Sequence, residues 1–145
     1  MRAYSDSEAI ALIRLRYWQH LLNEMLKARQ FKIPIHLAFG HEAAAVAMDL
    51  TMQPDDALCL THRNGAYNLA RSKAFEAELA HYRLESRPDR VAHMASMNLA
   101  MEHTGIAYAS SILGNALAVA SGIALHRKEV ESPGVVFVTI GDGAI

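Results

Sequence analysis

The chain has a single cysteine, Cys59, which excludes a disulfide framework. Its setting in Ala57-Leu-Cys-Leu60 favours a small buried hydrophobe over a nucleophile. No apolar run approaches membrane-spanning length, and Arg2, Asp6, Glu8, Arg14 and Arg16 interrupt the opening stretch, so there is no signal-peptide core. Charge of either sign is not in excess: 14 basic and 15 acidic side chains leave a formal net charge of −1, with no block of like charges. That sets aside nucleic acid and anionic membrane as partners. No internal repeat, low-complexity tract or interdomain linker is visible. The expectation is a soluble protein of a reducing, cytoplasmic setting. With 145 residues, 52% of them hydrophobic, the length suits one domain with a sizeable core, or part of one.

The pattern of what is present alternates helix and strand. Ser5-Asp-Ser-Glu8 forms a capping box, and Ala11, Leu15, Trp18, Leu22 and Met25 recur at steps of four and three, predicting a long amphipathic helix. Lys27, Arg29 and Lys32 suit its negative end, and Pro34 keeps the following Phe31–His36 stretch out of helix. After Gly40, the alanine-rich His41–Leu50 predicts a closely packed second helix ending near Met52, with Glu42 read as a helix-start charge. Ala57–Thr61 reads as the first strand of a sheet. Helical segments follow over Tyr67–Lys73 and Phe75–Leu84, closed by Arg87-Pro88. From Ser86 to Ser111 periodicity is lost, which predicts a long, apolar, functional loop holding at most one short helix. Gly114–Leu125 reads as a buried helix whose Gly114, Ala118 and Gly122 form a face open to close approach. Ser132-Pro133-Gly134 then turns the chain into a final strand, Val135–Ile140.

That apolar strand runs into Gly141-Asp-Gly143. In an open α/β sheet ligands sit beyond the carboxyl ends of parallel strands, and this pattern of a buried parallel strand marks such an end. The glycines let backbone close on a ligand while Asp142 offers a hard oxygen to a metal; an ordinary Asp-Gly turn is the plain alternative. Arg63 follows the first strand at the same kind of edge. It reads equally as a phosphate contact or as a surface ion pair. His36, taken alone, reads as a solvent-facing or structural imidazole.

Several stretches, taken in order, resemble one family: His36-Leu-Ala-Phe-Gly-His-Glu-Ala43, Thr61-His-Arg63, Tyr67-Asn-Leu-Ala-Arg71, Ser96-Met-Asn-Leu99, Ser111-Ile-Leu-Gly114, Ala120–Leu125 and Gly141-Asp-Gly-Ala144. This is the alpha subunit of the thiamine-diphosphate-dependent first component of 2-oxo acid dehydrogenase complexes, of the pyruvate, branched-chain and acetoin types. The resemblance covers nearly the whole chain from Ile10 onward. It implies an α/β thiamine-diphosphate-binding fold, a parallel sheet with flanking helices, of which residues 1–145 are the amino-terminal part, incomplete at the carboxyl end.

By resemblance, Asp142 ligands the Mg2+ that bridges the cofactor diphosphate, beside Gly141 and the backbone of Gly143 and Ala144. His62 and Arg63 match a family Tyr-Arg pair at the diphosphate, the imidazole keeping a hydrogen-bond donor where the phenol had one. Ser111, Ile112, Leu113 and Gly114 match the segment along the aminopyrimidine, with Leu113 as the apolar wedge that bends the cofactor. His36 matches a histidine near the bound 2-oxo acid.

The implied activity is oxidative decarboxylation of a small 2-oxo acid, with the carbanion chemistry supplied by the cofactor. The implied partners are a beta subunit, which contributes the glutamate that activates the cofactor, and the lipoyl acyltransferase of the complex. Glu42 is not that glutamate. The chain departs from the family at Asn64-Gly65-Ala66, where a histidine is common, and at Val91–Ala95, where a glycine-rich approach is common. The family's metal motif also continues through a helix and strand to paired asparagines that this sequence does not contain. The expectation is a chain with little activity by itself; a non-catalytic remnant or assembly module is the alternative. The substrate's side chain is not legible, because one methylene is worth only ~1–3 kcal/mol in such a pocket.

Overall fold

A computed structural model of the chain describes residues 5–31, 34–83 and 104–144. Helix α1 spans Asp6–Lys27, α2 Glu42–Thr51, α3 Gly65–Ser72, α4 Phe75–Tyr82 and α5 Asn115–Glu129. Strand β1 is Ala57–Thr61, β2 Ile106–Ser110 and β3 Val136–Val138. The three strands form one parallel sheet in the order β2-β1-β3, so the α/β class expected from the sequence holds.

Strand periodicity explains the layering. Successive side chains of β1 point to opposite faces. Leu58 and Leu60 enter the main core with Leu15, Leu22, Val46, Leu69, Leu79 and Ile106, while Cys59 enters a second cluster with Ala116 and Ala120. The first four helices therefore cover one face of the sheet and α5 the other. β1, between its two partners, is buried through Leu60. Cys59 is a buried free thiol, and burial pushes its pKa up, as befits a packing residue.

The capping box of α1 forms as its sequence dictates: Ser5 Oγ accepts from Glu8 N at 3.3 Å and the Glu8 carboxylate accepts from Ser5 N at 2.6 Å. Leu15 and Leu22 are buried, with Ala11, Trp18 and Met25 packed around them. Trp18 stacks on Phe75 at 5.8 Å and carries the Arg14 guanidinium over its ring at 5.1 Å, joining α1 to α4.

The entry of β3 is fixed by Asp56, whose carboxylate accepts from Gln53 N and Val135 N, both at 2.7 Å. Those backbone bonds hold its pKa below the usual range. Gly134, at φ +88, lies against the Asp55 carbonyl with no room for a Cβ.

Three expectations are corrected. The stretch expected to be a loop up to Ser111 contains strand β2, which pairs with β1 from Leu58↔Ile106 to Thr61↔Ser110. Only Ile106 in it is β-branched, so its propensity is weak and the pairing comes from tertiary context. Second, α5 is not buried all round: it packs through Ala116, Ala120 and Ile123, leaving Leu117 and Leu125 exposed. Ala118 and Gly122 lie on the open side of this helix, and nothing lies within 4 Å of a Cβ built at Gly122. Third, β3 is shorter than expected and only half-buried, since its outer edge has no neighbouring strand among the described residues. Leu84, Arg87-Pro88, Val91–Ala95, Ser96–Leu99 and the rest of the run to His103 lie outside the described residues. No helix of the described residues is long and apolar enough to cross a membrane.

Candidate functional site at the carboxyl edge of the sheet

Because the strands are parallel, all three release their chains at the same edge. β1 ends at Thr61 and delivers His62-Arg63; β2 ends at Ser110 and delivers Ser111–Gly114; β3 ends at Val138 and delivers Gly141–Ala144. Thr139 N donates to Cys59 O at 3.0 Å, and Thr61 N donates to Thr139 Oγ1 at 3.3 Å, so the first and third segments leave the sheet tied together. The second and third also meet: a Cβ built at Gly114 would lie 3.5 Å from the Ala144 carbonyl oxygen.

The β2 exit is shaped by Ser110, whose Oγ accepts from Ile112 N at 3.1 Å. Asn115 Nδ2 donates to Tyr108 Oη at 2.8 Å and reaches Ser110 Oγ at 3.4 Å. Gly114 holds φ +75 at the N-cap of α5, a left-handed conformation that glycine adopts without penalty. Ile112 and Leu113 are left exposed, at 67% and 72%.

At the β3 exit Asp142 opens a short 3-10 turn, Asp142–Ala144. It is exposed, and its Oδ1 accepts from Gly143 N at 3.0 Å. Nothing lies within 4 Å of a Cβ built at Gly141 or Gly143, so the backbone there is open to approach. Arg63 is exposed and makes no hydrogen bond or ion pair among the described residues. The ion-pair alternative for Arg63 therefore has no partner among them.

His62 is half-buried, and its ring meets that of His36 edge-to-face at 5.2 Å. Burial first, then His36 and the Arg63 cation, hold the His62 imidazole below its ordinary pKa, so near neutral pH it is uncharged, with one nitrogen donating and one accepting. His36 is thus brought to the same edge by the loop before α2. Asn64 is the N-cap of α3, and Gly65 packs against the His36 carbonyl. A Cβ at Gly65 would sit 3.5 Å from His36 O. Tyr67 Oη lies 3.3 Å from His41 Nδ1 beside this junction.

The donor set fits a metal-bound diphosphate. It offers one hard carboxylate oxygen on an open glycine turn, one free guanidinium and one neutral imidazole, all at one sheet edge. Mg2+ is commonly held by one or two carboxylates plus phosphate oxygens and water, so Asp142 alone is a sufficient protein anchor of the ordinary kind. Among the described residues no cluster of three or more histidine, cysteine or carboxylate side chains could hold a metal by itself.

Two groups escaped sequence reasoning. Glu42, read as a helix-start charge, is buried and bonded to Arg16 Nε and Nη2 at 2.6 and 2.8 Å. Burial pushes its pKa up, but the Arg16 hydrogen bond and the backbone amides outweigh it and the net shift is downward. The signal was Gln19, a polar residue in the stripe Leu15, Gln19, Leu22, which must find partners once buried. The second group is Glu78, fully buried beside Tyr82 on α4, with neither carboxylate oxygen hydrogen-bonded among the described residues.

A family model described as the dehydrogenase E1 component matches residues 16–145. No curated protein matches the chain.

Proposed function

The chain belongs to the dehydrogenase E1 component family, whose members are thiamine-diphosphate-dependent 2-oxo acid dehydrogenases, and from that premise we propose that it is alpha-subunit sequence whose sheet edge binds the cofactor diphosphate through Mg2+. The observation that carries the reading is the convergence of Arg63, Gly114 and Asp142 on one edge, with Gly114 packed against Ala144.

Asp142 supplies the hard oxygen to the metal. Arg63 supplies a cation with no competing partner among the described residues, and His62 supplies an uncharged donor. Ser111 to Gly114 pass along the aminopyrimidine, with the exposed Leu113 free to wedge against the ring. His36, against His62, lies near the 2-oxo acid. When bound, the cofactor supplies the carbanion and the electron sink for decarboxylation. The partners are a beta subunit and the lipoyl acyltransferase of the complex, in the cytoplasm.

The 145-residue chain assayed alone is expected to turn over no 2-oxo acid, because in this reading the glutamate that activates the cofactor comes from the beta subunit. A cofactor-binding titration with and without Mg2+, comparing the chain with its Asp142→Asn variant, tests the reading. Equal binding in both would refute it.

A second reading, an assembly module without catalysis, is favoured by one observation. Ile112, Leu113, Leu117 and Leu125 leave apolar surface open along α5 and its approach. Mg2+-dependent cofactor binding decides between the two.

A further inference from the structure

The loop that carries His36 is held by side chains rather than by regular secondary structure. Gln19, in the middle of α1, is fully buried and has every polar atom engaged. Its Oε1 accepts from Ala38 N at 2.8 Å. Its Nε2 donates to Glu42 Oε1 at 2.7 Å and reaches Ala38 O at 3.5 Å. Glu42 Oε2 in turn accepts from Gly40 N at 2.9 Å, and the whole carboxylate is gripped by Arg16. Phe39 lies between Arg16, at 5.7 Å from its ring, and His20, at 4.9 Å. Every residue from Ala38 to Gly40 is thus tied to α1, directly or through Glu42. Two residues upstream, His36 is backed by Gly65 and meets His62.

A buried amide with one backbone partner on each side is costly to place and specific in geometry. Residues this near to a functional side chain set its position to fractions of an ångström, and small misplacements lower rates steeply. An apolar residue at position 19 would have completed the stripe of α1 with no polar group to satisfy.

We infer that Gln19 is a positioning residue: its amide, anchored by Glu42, locks Ala38 and thereby holds the His36 imidazole edge-on to His62 at the cofactor edge. The functional consequence rests on the proposed cofactor reading, whereas the geometry does not.

The groups that act on His62 are His36 from the preceding loop and Arg63 from its own, with burial the largest influence and all three in the same direction. His41, at the N-cap of α2, and Tyr67, on α3, pair beside the junction. The His62 titration therefore reports where His36 sits. The experiment follows ring-proton resonances of the 145-residue chain against pH by NMR, with His62 assigned by its loss in His62→Asn. In Gln19→Met, which keeps the volume and deletes the amide, the His62 pKa is expected to rise toward the ordinary value of about 6.5. It is expected to rise in His36→Asn as well, and adding Gln19→Met to His36→Asn is expected to move it no further. If Gln19→Met fails to fold, Gln19→Asn, which draws the amide back by one methylene, is read in the same way. An unmoved His62 titration in a folded variant, or an equal rise when His36 is already absent, overturns the proposal. Cofactor binding by the unaltered chain is read separately: its absence, with the His62 shifts of the variants as expected, counts against the cofactor reading alone and leaves the positioning role standing.

Discussion

Gly114 and Ala144, thirty positions apart in sequence, touch at the carboxyl edge: a Cβ on the glycine would stand 3.5 Å from the alanine's carbonyl oxygen. The contact itself would tolerate that atom. The backbone would not, because Gly114 sits at φ +75 and a left-handed residue with a side chain costs roughly 1–2 kcal/mol. Gly114→Ala should therefore lower the denaturation midpoint measurably, and weaken cofactor binding by shifting the turn before α5. Gly141→Ala meets open space and should leave stability within about 0.5 kcal/mol, losing only cofactor affinity. Chemical denaturation beside a binding titration checks both.

Arg63 should matter for ligand and not for fold. It is exposed and makes no hydrogen bond or ion pair among the described residues. Arg63→Ala should leave the melting temperature unchanged and reduce diphosphate affinity by roughly tenfold to a hundredfold, the range for a lost charge-assisted hydrogen bond. Arg63→Lys should recover part of it, since lysine keeps the charge and loses the planar fork. Calorimetric titration with inorganic pyrophosphate and Mg2+ reads this without any turnover.

Glu78 predicts a loss of stability as pH rises from acid to neutral. Burial pushes its carboxyl up to about 7. In the unfolded chain it ionises near 4.3. Between those values the folded state holds a proton that the unfolded state has released, so stability is full below about pH 4 and declines as pH rises through about 7. The shift corresponds to a loss on the order of 3 kcal/mol. Glu78→Gln should be nearly neutral in acid and stabilising at pH 8, as read by urea unfolding at the two pH values.

Glu42 predicts the opposite slope. Its carboxylate is held below the ordinary range in the fold, so its contribution is present above about pH 4.3 and is lost as pH falls toward the folded value. Removing it in Glu42→Ala should cost about 2 kcal/mol, because Gln19 Nε2 and Gly40 N lose an acceptor while Arg16 can turn to water. Thermal melts of wild type and variant should differ at neutral pH and converge in acid.

What could be read from sequence follows the strength of each physical signal. β1 was legible to the residue because Ala-Leu-Cys-Leu-Thr is apolar, short and bounded by turns, and the capping box marked the start of α1 for the same reason of local sufficiency. β2 was not: Ile106-Ala-Tyr-Ala-Ser110 is strand only because β1 lies beside it. The packed face of α5 was not legible, because glycine and alanine occur on every side of it, so that Ala116 and Ala120 look no different from Ala118. The candidate site was legible as motifs. The His36 contact with His62 and the Gln19 clamp were not, since both depend on how a loop lies across a helix.

The central claim is that one sheet edge binds a metal diphosphate. The most direct measurement is an NMR titration of the 145-residue chain with thiamine diphosphate, with and without Mg2+. The account predicts Mg2+-dependent shifts confined to Thr61–Arg63, Ser110–Gly114 and Thr139–Ala144, absent in Asp142→Asn. Shifts elsewhere, or shifts at this edge that are indifferent to both Mg2+ and Asp142, would contradict it.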